Sequence, residues 1–482
     1  MSGKGAGEKG QGINRYGSKP ARWMRGKVVK GCRGNLVLVI IRSLARPFFP
    51  AEMEMMRSLL PCWLLLTVGL VTLPLAAPAQ EKGVGDFPKL SATNDWPWWR
   101  GPQRNGVAVG KAPVEFGDNL NVKWKTPVPG RGHSSPIVVG TRVFLTTADK
   151  EKQTHSVLCF DRATGQPLWQ TDVNQGGFPA NNHPKNTEAT PSVACDGERI
   201  FVAFYNHNEV QLTALDLNGK KLWQKFAGKF FPQRYEYGYA PSPVLYRDTV
   251  IVAAEWEQNS YLAAFDRKTG AEAWRTDRPH SPSFSSPVVA HLAGQDQLLM
   301  TGDQKVTSYD PATGKLRWTA PGTASATCGT VVWEGDTVFA SGGYPQSETV
   351  AIKADGSGQQ LWKNNQKCYE QSMLATGGHL YALTDQGIVF CWRGSDGQEM
   401  WKKRLKGPVS SSPVLAGGLI YWANELGTHY VFKPNPSELE IVAENKLGND
   451  SFASPAVCGG QMFHRAMTNV GGKRQEFLYC LE

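Results

Sequence analysis

The chain has 482 residues, 41% of them apolar and 20% charged, which is enough for a large folded core and too apolar for a disordered chain. Its formal net charge of +10 is not spread evenly. Residues 1–57 hold twelve Lys and Arg against Glu8, Glu52 and Glu54, and account for +9 of it. A phosphate-binding surface needs clustered positive charge, so the nearly neutral remainder excludes nucleic acid as a partner.

In chain order, residues 1–55 read as a basic, disordered extension or as the product of a start codon set too far upstream. Their Gly5-Ala6-Gly7-Glu8-Lys9-Gly10 matches a dinucleotide fingerprint in form only, since no strand precedes it. Residues 56–79 read as a signal peptide. Arg57 gives the positive start, Leu59 to Leu75 the apolar run, and Ala77-Pro78-Ala79 the small-residue cleavage site. A retained anchor is the alternative, as the run approaches the length that spans a bilayer. Cleavage after Ala79 predicts a periplasmic or extracellular protein that does not span the membrane. Cys62 precedes the apolar run, so it does not fit a lipid-modified terminus. Residues 80–120 form an N-terminal segment carrying "DWPWWRGPQRNG" at 95–106, to which composition assigns no role.

From residue 121 to 482 the chain repeats. Trp124, Trp169, Trp223, Trp274, Trp318, Trp362 and Trp401 follow one another at spacings of 45, 54, 51, 44, 44 and 39 residues. An eighth unit, "LEIVAENKLG", has Ile441 or Val442 in their place. A second marker follows most of them: "HSSPIVV" at 133, "APSPVLY" at 240, "FSSPVVA" at 284, "SSSPVLA" at 410. Each unit reads as four short runs rich in Val, Ile, Phe, Leu and Trp, bounded by Gly, Asp, Asn and Pro. Eight four-stranded units predict an all-β, eight-bladed propeller. "NVKWK" at 121–125 is a lone fourth strand, and "EFLYCLE" at the other end is a third strand lacking its fourth. Pairing them in one blade closes the ring and removes the open edge.

Before the tryptophans stand "FDRATGQPLW", "FDRKTGAEAW" and "YDPATGKLRW". Asp-x-x-Thr-Gly is a tight turn between third and fourth strands, with Gly at the positive φ and the Asp and Thr side chains bonding the turn backbone. The seven tryptophans are then structural, packing against the neighbouring blade. Seven cysteines lie beyond residue 80, with no adjacent pair and no Cys-x-x-Cys. Recurrence of Cys159, Cys391 and Cys480 at equivalent sites predicts small buried packing groups.

These repeats resemble the tryptophan-docking repeats of the pyrroloquinoline quinone (PQQ) propeller family, over about residues 121–482. The resemblance implies one of two classes. Quinoprotein dehydrogenases hold PQQ and Ca²⁺ on the propeller axis, whereas non-enzymatic members, including the outer-membrane assembly lipoprotein of the β-barrel assembly machine, serve as docking scaffolds. The chain lacks the adjacent cysteines and the haem motif of many of those enzymes, and no catalytic or calcium-ligand residue can be carried over.

Loops joining fourth to first strands and second to third strands share one face of a propeller. Two of the former are enlarged, 171–188 and 225–239, and the second holds Arg234, Tyr235, Tyr237 and Tyr239. Aromatics with Arg are the composition of interface hot spots. His133, Glu188, Tyr239 and Glu370 precede first strands and are expected near the axis, as are Glu255 and Trp256 from a second-to-third-strand loop. Converging carboxylates suit a hard cation, but solvated loop tips look the same, and no metal site is assigned. The expected function is a monomeric, exported, non-catalytic scaffold binding another envelope protein, without cofactor. The alternatives are a PQQ- and Ca²⁺-dependent dehydrogenase of alcohols or sugars and a small-ligand or carbohydrate-binding propeller.

Overall fold

The computed structural model describes residues 86–482. The expected extension at 1–55, the expected signal peptide at 56–79 and the cleavage expected after Ala79 fall outside the described residues. Eight four-stranded antiparallel sheets follow one another as the blades of a propeller. Seven are built from consecutive strands within residues 137–175, 194–229, 244–277, 288–321, 332–364, 374–404 and 414–446. The eighth joins Ala456–Cys458, Gln461–Val470 and Lys473–Leu481 to the early strand Val122–Val128, which pairs with the last strand. The ring therefore closes as expected, and for the reason expected: neither terminal edge is left without a partner.

The repeat motif does two jobs at once. In blade 1 the Asp161 carboxylate accepts hydrogen bonds from the Ala163 and Thr164 amides and the Thr164 hydroxyl, at 3.0, 2.8 and 2.8 Å, which sets the turn. Gly165 then takes φ +73° and lies flat against Trp124 of the preceding blade. The indole N–H of Trp124 donates to the Arg162 carbonyl in that turn (2.9 Å). Trp169 to Leu217, Trp223 to Arg267, Trp362 to Gly394 and Trp401 to Asn435 repeat the bond around the ring. Each dock contributes about 1 kcal/mol of hydrogen bonding, added to about 2 kcal/mol for burying a large side chain.

Within a blade, the residue facing each tryptophan across the ladder is small. The pairs are Cys480 with Trp124, Cys159 with Trp169, Ala214 with Trp223, Ala264 with Trp274, Ser308 with Trp318, Ala351 with Trp362 and Cys391 with Trp401. One residue beyond, every blade carries a register shift, which bends the outer strand into its turn. The recurring cysteines are thus spacers under an indole. All seven described cysteines are free thiols, and all but Cys328 are buried.

The segment at 95–106, whose role composition left open, runs across the end of the ring and touches blade after blade. Trp96 exchanges two backbone bonds with Val138 of blade 1, and the Pro97 carbonyl accepts from Cys195 of blade 2. Arg104 donates to Leu245 and Val289 of blades 3 and 4 (2.7 and 3.5 Å). Trp99 Nε1 donates to Thr330 Oγ1 of blade 5 (2.9 Å). Arg100 donates to the Met373 and Pro413 carbonyls of blades 6 and 7 (2.9 and 2.6 Å). Gly459 of blade 8 donates to Thr93 just upstream. Both guanidiniums are buried, and burial alone pulls Arg100 down to about 9; it also pulls Arg104 to about 10 against the nearby carboxylates. They hold because backbone carbonyls, not counter-ions, take up terminal N–H groups of each guanidinium, although both buried Nε–H groups lack a partner among the described residues.

Candidate functional site

Above this segment lies a cavity of about 450 Å³ on the axis, open at the other end. Its wall is built by the residues that enter each innermost strand. Ser135, Ser192, Ser242 and Ser286 occupy one level in blades 1–4, and Thr330, Ser372, Ser412 and Ser454 the same level in blades 5–8. The backbone N–H of one donates to the side-chain oxygen of the next at 2.9–3.0 Å, as from Ser135 to Ser192, Ser192 to Ser242 and Ser242 to Ser286. The belt continues from Thr330 to Ser372, Ser372 to Ser412, Ser412 to Ser454 and Ser454 back to Ser135 (2.8–3.0 Å). Among the described residues it is interrupted between Ser286 and Thr330, the blade where Trp99 enters.

Two residues before each belt position comes a second level. Because side chains of an extended chain alternate, these point the same way. His133, Thr190, Ala240 and Phe284 line the cavity from blades 1–4, and Cys328, Glu370, Ser410 and Phe452 from blades 5–8. Trp99 closes the inner end. His133 stacks on Phe452 with centroids 4.4 Å apart, and packing together with Arg131, Arg465 and Arg474 drives its pKa well below the usual range, so it is neutral.

One side of the wall is acidic. Ser410 Oγ lies between two carboxylates, hydrogen-bonded to Glu370 Oε2 and, at 2.7 Å, to Glu425 Oε1. Asp385 joins them on the lining. Burial pushes the Glu370 carboxyl up, and its acidic neighbours Glu425 and Asp385 push the same way, against Ser410 and Lys185. The first enlarged loop starts later than expected, after Gln175, because the fourth strand runs on to that residue; from it Lys185 reaches across the mouth to Glu425 Oε1 at 2.9 Å. It is the lining lysine or arginine that the described residues supply. Burial opposes its charge, but the bond to Glu425 and the fields of Glu370 and Asp385 prevail, so its pKa is raised.

The second enlarged loop forms the rim and is tied to the first. Asn186 Nδ2 bonds the Tyr237 carbonyl, Asn181 Nδ2 donates to Glu236 Oε2 (2.9 Å), and His183 meets the Tyr237 ring edge at 5.0 Å. Tyr237 faces the cavity beside Phe284 (5.7 Å). Tyr235 lies 5.5 Å from Tyr344 and under the Arg234 guanidinium at 5.3 Å. Phe231 and Tyr344 are 44% and 46% exposed, large apolar faces turned to solvent.

Of the residues expected near the axis, the structure brings His133 and Glu370 to the cavity; of those expected on the enlarged loop, Tyr237 also lines it, while Arg234 and Tyr235 stand outside it on the rim. Glu188 and Tyr239 stand elsewhere. Thr190 and Ala240 hold the equivalent positions. Tyr239 is one residue out of step, so its ring turns into the blade, where its hydroxyl donates to the Ala253 carbonyl (2.8 Å). Glu188 is two residues too early and lines a shallower side groove with Asp149 and Lys150. Glu255 and Trp256 are buried: Glu255 Oε1 pairs with the Arg278 guanidinium (2.6 Å), and Ser260 caps the Trp256 backbone. Trp99, Ser410, Asp385 and Glu425 complete the site. The Ser-Pro marker, present at Ser135, Ser242, Ser286, Ser412 and Ser454, was the available signal for the serine belt.

A family profile described as "Outer membrane protein assembly factor BamB" matches residues 120–225, 153–403 and 346–434. The chain belongs to this PQQ-like propeller family. It is 26% identical over 370 residues to an outer membrane protein assembly factor BamB of Yersinia pestis, covering 72% of this chain and 86% of that one. Among solved structures, a europium-containing methanol dehydrogenase aligns with a TM-score of 0.61 at 12% identity, over 82% of this chain and 99% of that one. BamB from Moraxella catarrhalis aligns with a TM-score of 0.52 at 13% identity, over 74% and 96%. At such identities the two structures speak for the fold alone.

The quinone that dehydrogenases of this family hold on the axis is a planar tricarboxylate. Placed in this cavity it meets Glu370, Asp385 and Glu425, with Lys185 already engaged by Glu425. Like charges repel unless a cation stands between them, so these residues would receive the quinone only together with a cation such as Ca²⁺. Among the described residues no group of three or more His, Cys, Asp or Glu side chains is placed to hold a metal ion. Nor is any described helix long and apolar enough to cross a membrane.

Proposed function

We propose that this propeller is a docking scaffold of the cell envelope, exported and acting in outer-membrane protein assembly by binding another envelope protein through its loop-bearing face. The observation that carries the reading is the aromatic rim. Tyr235 packs against Tyr344 and under Arg234, and Phe231 on the same loop as Tyr235 is exposed, that loop being hydrogen-bonded to the other enlarged loop. Rigid exposed aromatics with Arg are what interface hot spots are made of. Membership of the BamB family supports the assembly context. Photo-crosslinking tests the scaffold in its native envelope. A benzophenone side chain at Phe231 or Tyr235 is expected to give a discrete adduct with a component of outer-membrane assembly, and the same group at the outer-edge position Leu168 none. Equal labelling from both faces sinks the proposal.

The second reading is PQQ-dependent oxidation, the other class that the repeat resemblance implies. Its test is titration of PQQ with Ca²⁺, following dye-linked alcohol oxidation. Substrate-dependent dye reduction upholds that reading and its absence removes it.

A further inference from the structure

We propose that the axial cavity is a binding site for an alkylammonium or guanidinium group, and that Lys185 is its tethered internal occupant. The inference rests on the scaffold reading for the source it favours, a lysine or arginine side chain presented by the partner at the rim. A free polyamine offers the same chemistry.

Three independent features converge on a cation. The first is charge. Glu370 and Glu425 come from different loops of blades 6 and 7 and share one hydroxyl, Ser410, whose single hydrogen serves one of them at a time, while Asp385, paired with Lys367 at 3.4 Å, adds its field from the lining. Carboxylates brought together inside a wall of low polarity repel one another and favour any ligand that brings positive charge. The second is the aromatic lining. Trp99 stands at the inner end and Phe284, Tyr237, Tyr369 and Phe452 around the sides. Ring faces attract ammonium and guanidinium groups, most strongly where water is excluded. The third is what already sits there. Lys185 is carried on an insertion, crosses the mouth from the loop between blades 1 and 2, and places its ammonium on Glu425 of blade 7. The chain thus shows the chemistry the site accepts. At about 450 Å³, the cavity is larger than one lysine tip needs and lies within the usual range of small-ligand pockets. Removal of that tip frees Glu425 without disturbing the blades, because the Lys185 side chain is half exposed.

Calorimetric titration of butylammonium, agmatine and acetyl-Gly-Lys-Gly-amide into the folded protein tests this, with n-butanol as the neutral control. One saturable site per chain is expected for the cations and none for the alcohol. Lys185→Met is expected to tighten binding about tenfold by removing the competitor, and Glu370→Gln to weaken it by about the same factor. Opposite responses of two charge-removing variants are not what a merely structural role would give. Binding of the peptide assigns the site to a partner side chain; binding of the free amines alone assigns it to a free polyamine. No saturable binding to either the wild type or Lys185→Met, or indifference to Glu370→Gln, overturns the inference. Crosslinking from Tyr235 separates the two readings: adducts without cation binding leave the scaffold standing and remove the cation site. Cation binding without adducts does the reverse.

Discussion

Replacement of Gly165 by alanine isolates the energy of one tryptophan dock. Two costs are combined at this turn, and Gly140 separates them. At Gly140, φ is +57° and an added Cβ meets nothing within 4 Å. Gly140→Ala therefore carries only the left-handed backbone penalty, about 1 kcal/mol. At Gly165, φ is +73°, but the Cβ falls 2.5 Å from Trp124 Cδ2 and Cε3 and 2.7 Å from Thr126 Oγ1. The indole has to withdraw. That strains the bond from Trp124 Nε1 to the Arg162 carbonyl and the bond from Thr126 Oγ1 to the Gly165 carbonyl, 2.9 and 2.7 Å long. Each is worth about 1 kcal/mol, and partial re-exposure of the ring costs about another 1 kcal/mol. Gly165→Ala should thus destabilise by about 4 kcal/mol, some 3 kcal/mol more than Gly140→Ala. Equilibrium unfolding in urea, followed by far-ultraviolet circular dichroism, reads both. If the two variants fall within about 0.5 kcal/mol of each other, the glycine is there for its backbone angle and the docking account fails.

Buried neutral histidines predict an acid limit to stability. Burial holds His155, between Phe178 and Phe204, and His464, bonded to Ser451, at about 3, and His429 well below the ordinary value. The unfolded chain takes up these protons first, so their contribution is full above about pH 6.5 and falls as pH drops, by about 2 kcal/mol for each of His155 and His464 at pH 5. His155→Phe should remove about 2 kcal/mol of the loss between pH 7.5 and 5, roughly a quarter of the share of the four buried neutral histidines His133, His155, His429 and His464; an unchanged slope refutes the assignment. Among the described thiols, Cys328 alone lines the cavity and escapes full burial, while burial raises its pKa. Iodoacetamide with peptide mapping should modify Cys328 before Cys159, Cys195, Cys368, Cys391, Cys458 or Cys480, faster at pH 9 than at pH 7. Equal labelling of all seven counts against this cavity geometry.

The fold was legible because its signals are local and repeated. Asp-x-x-Thr-Gly needs a turn, Trp needs a face to lie on, and the orphan strand around Trp124 needs an edge. The site was less so, because it depends on register. His133 and Glu370 were found by their place before a first strand, but the same rule applied one residue out gave Tyr239, whose ring points into a blade. Counting back two from the belt serines Ser192 and Ser242 would have found Thr190 and Ala240. Trp99 carried no periodic signal, since its segment stands outside the repeat and its partners are up to 300 or so residues away. Glu255 and Trp256 looked like loop tips; burial with Arg278 and Ser260 is a tertiary fact that no local pattern announces.

The closing blade has a consequence for assembly in time. Val122–Val128 pairs with Lys473–Leu481, so its ladder cannot form until nearly all of the intervening chain is present. Until then the early strand is an unsatisfied edge, and the partial ring is a row of stacked sheets with two sticky ends. A chain threaded through a membrane from its N-terminus would keep that row open to the last moment, and then seal it in one long-range step. The slowest contact of such a fold is also its final one, and a copy stalled short of residue 473 would offer its bare first strand to any passing edge, including that of a sister chain.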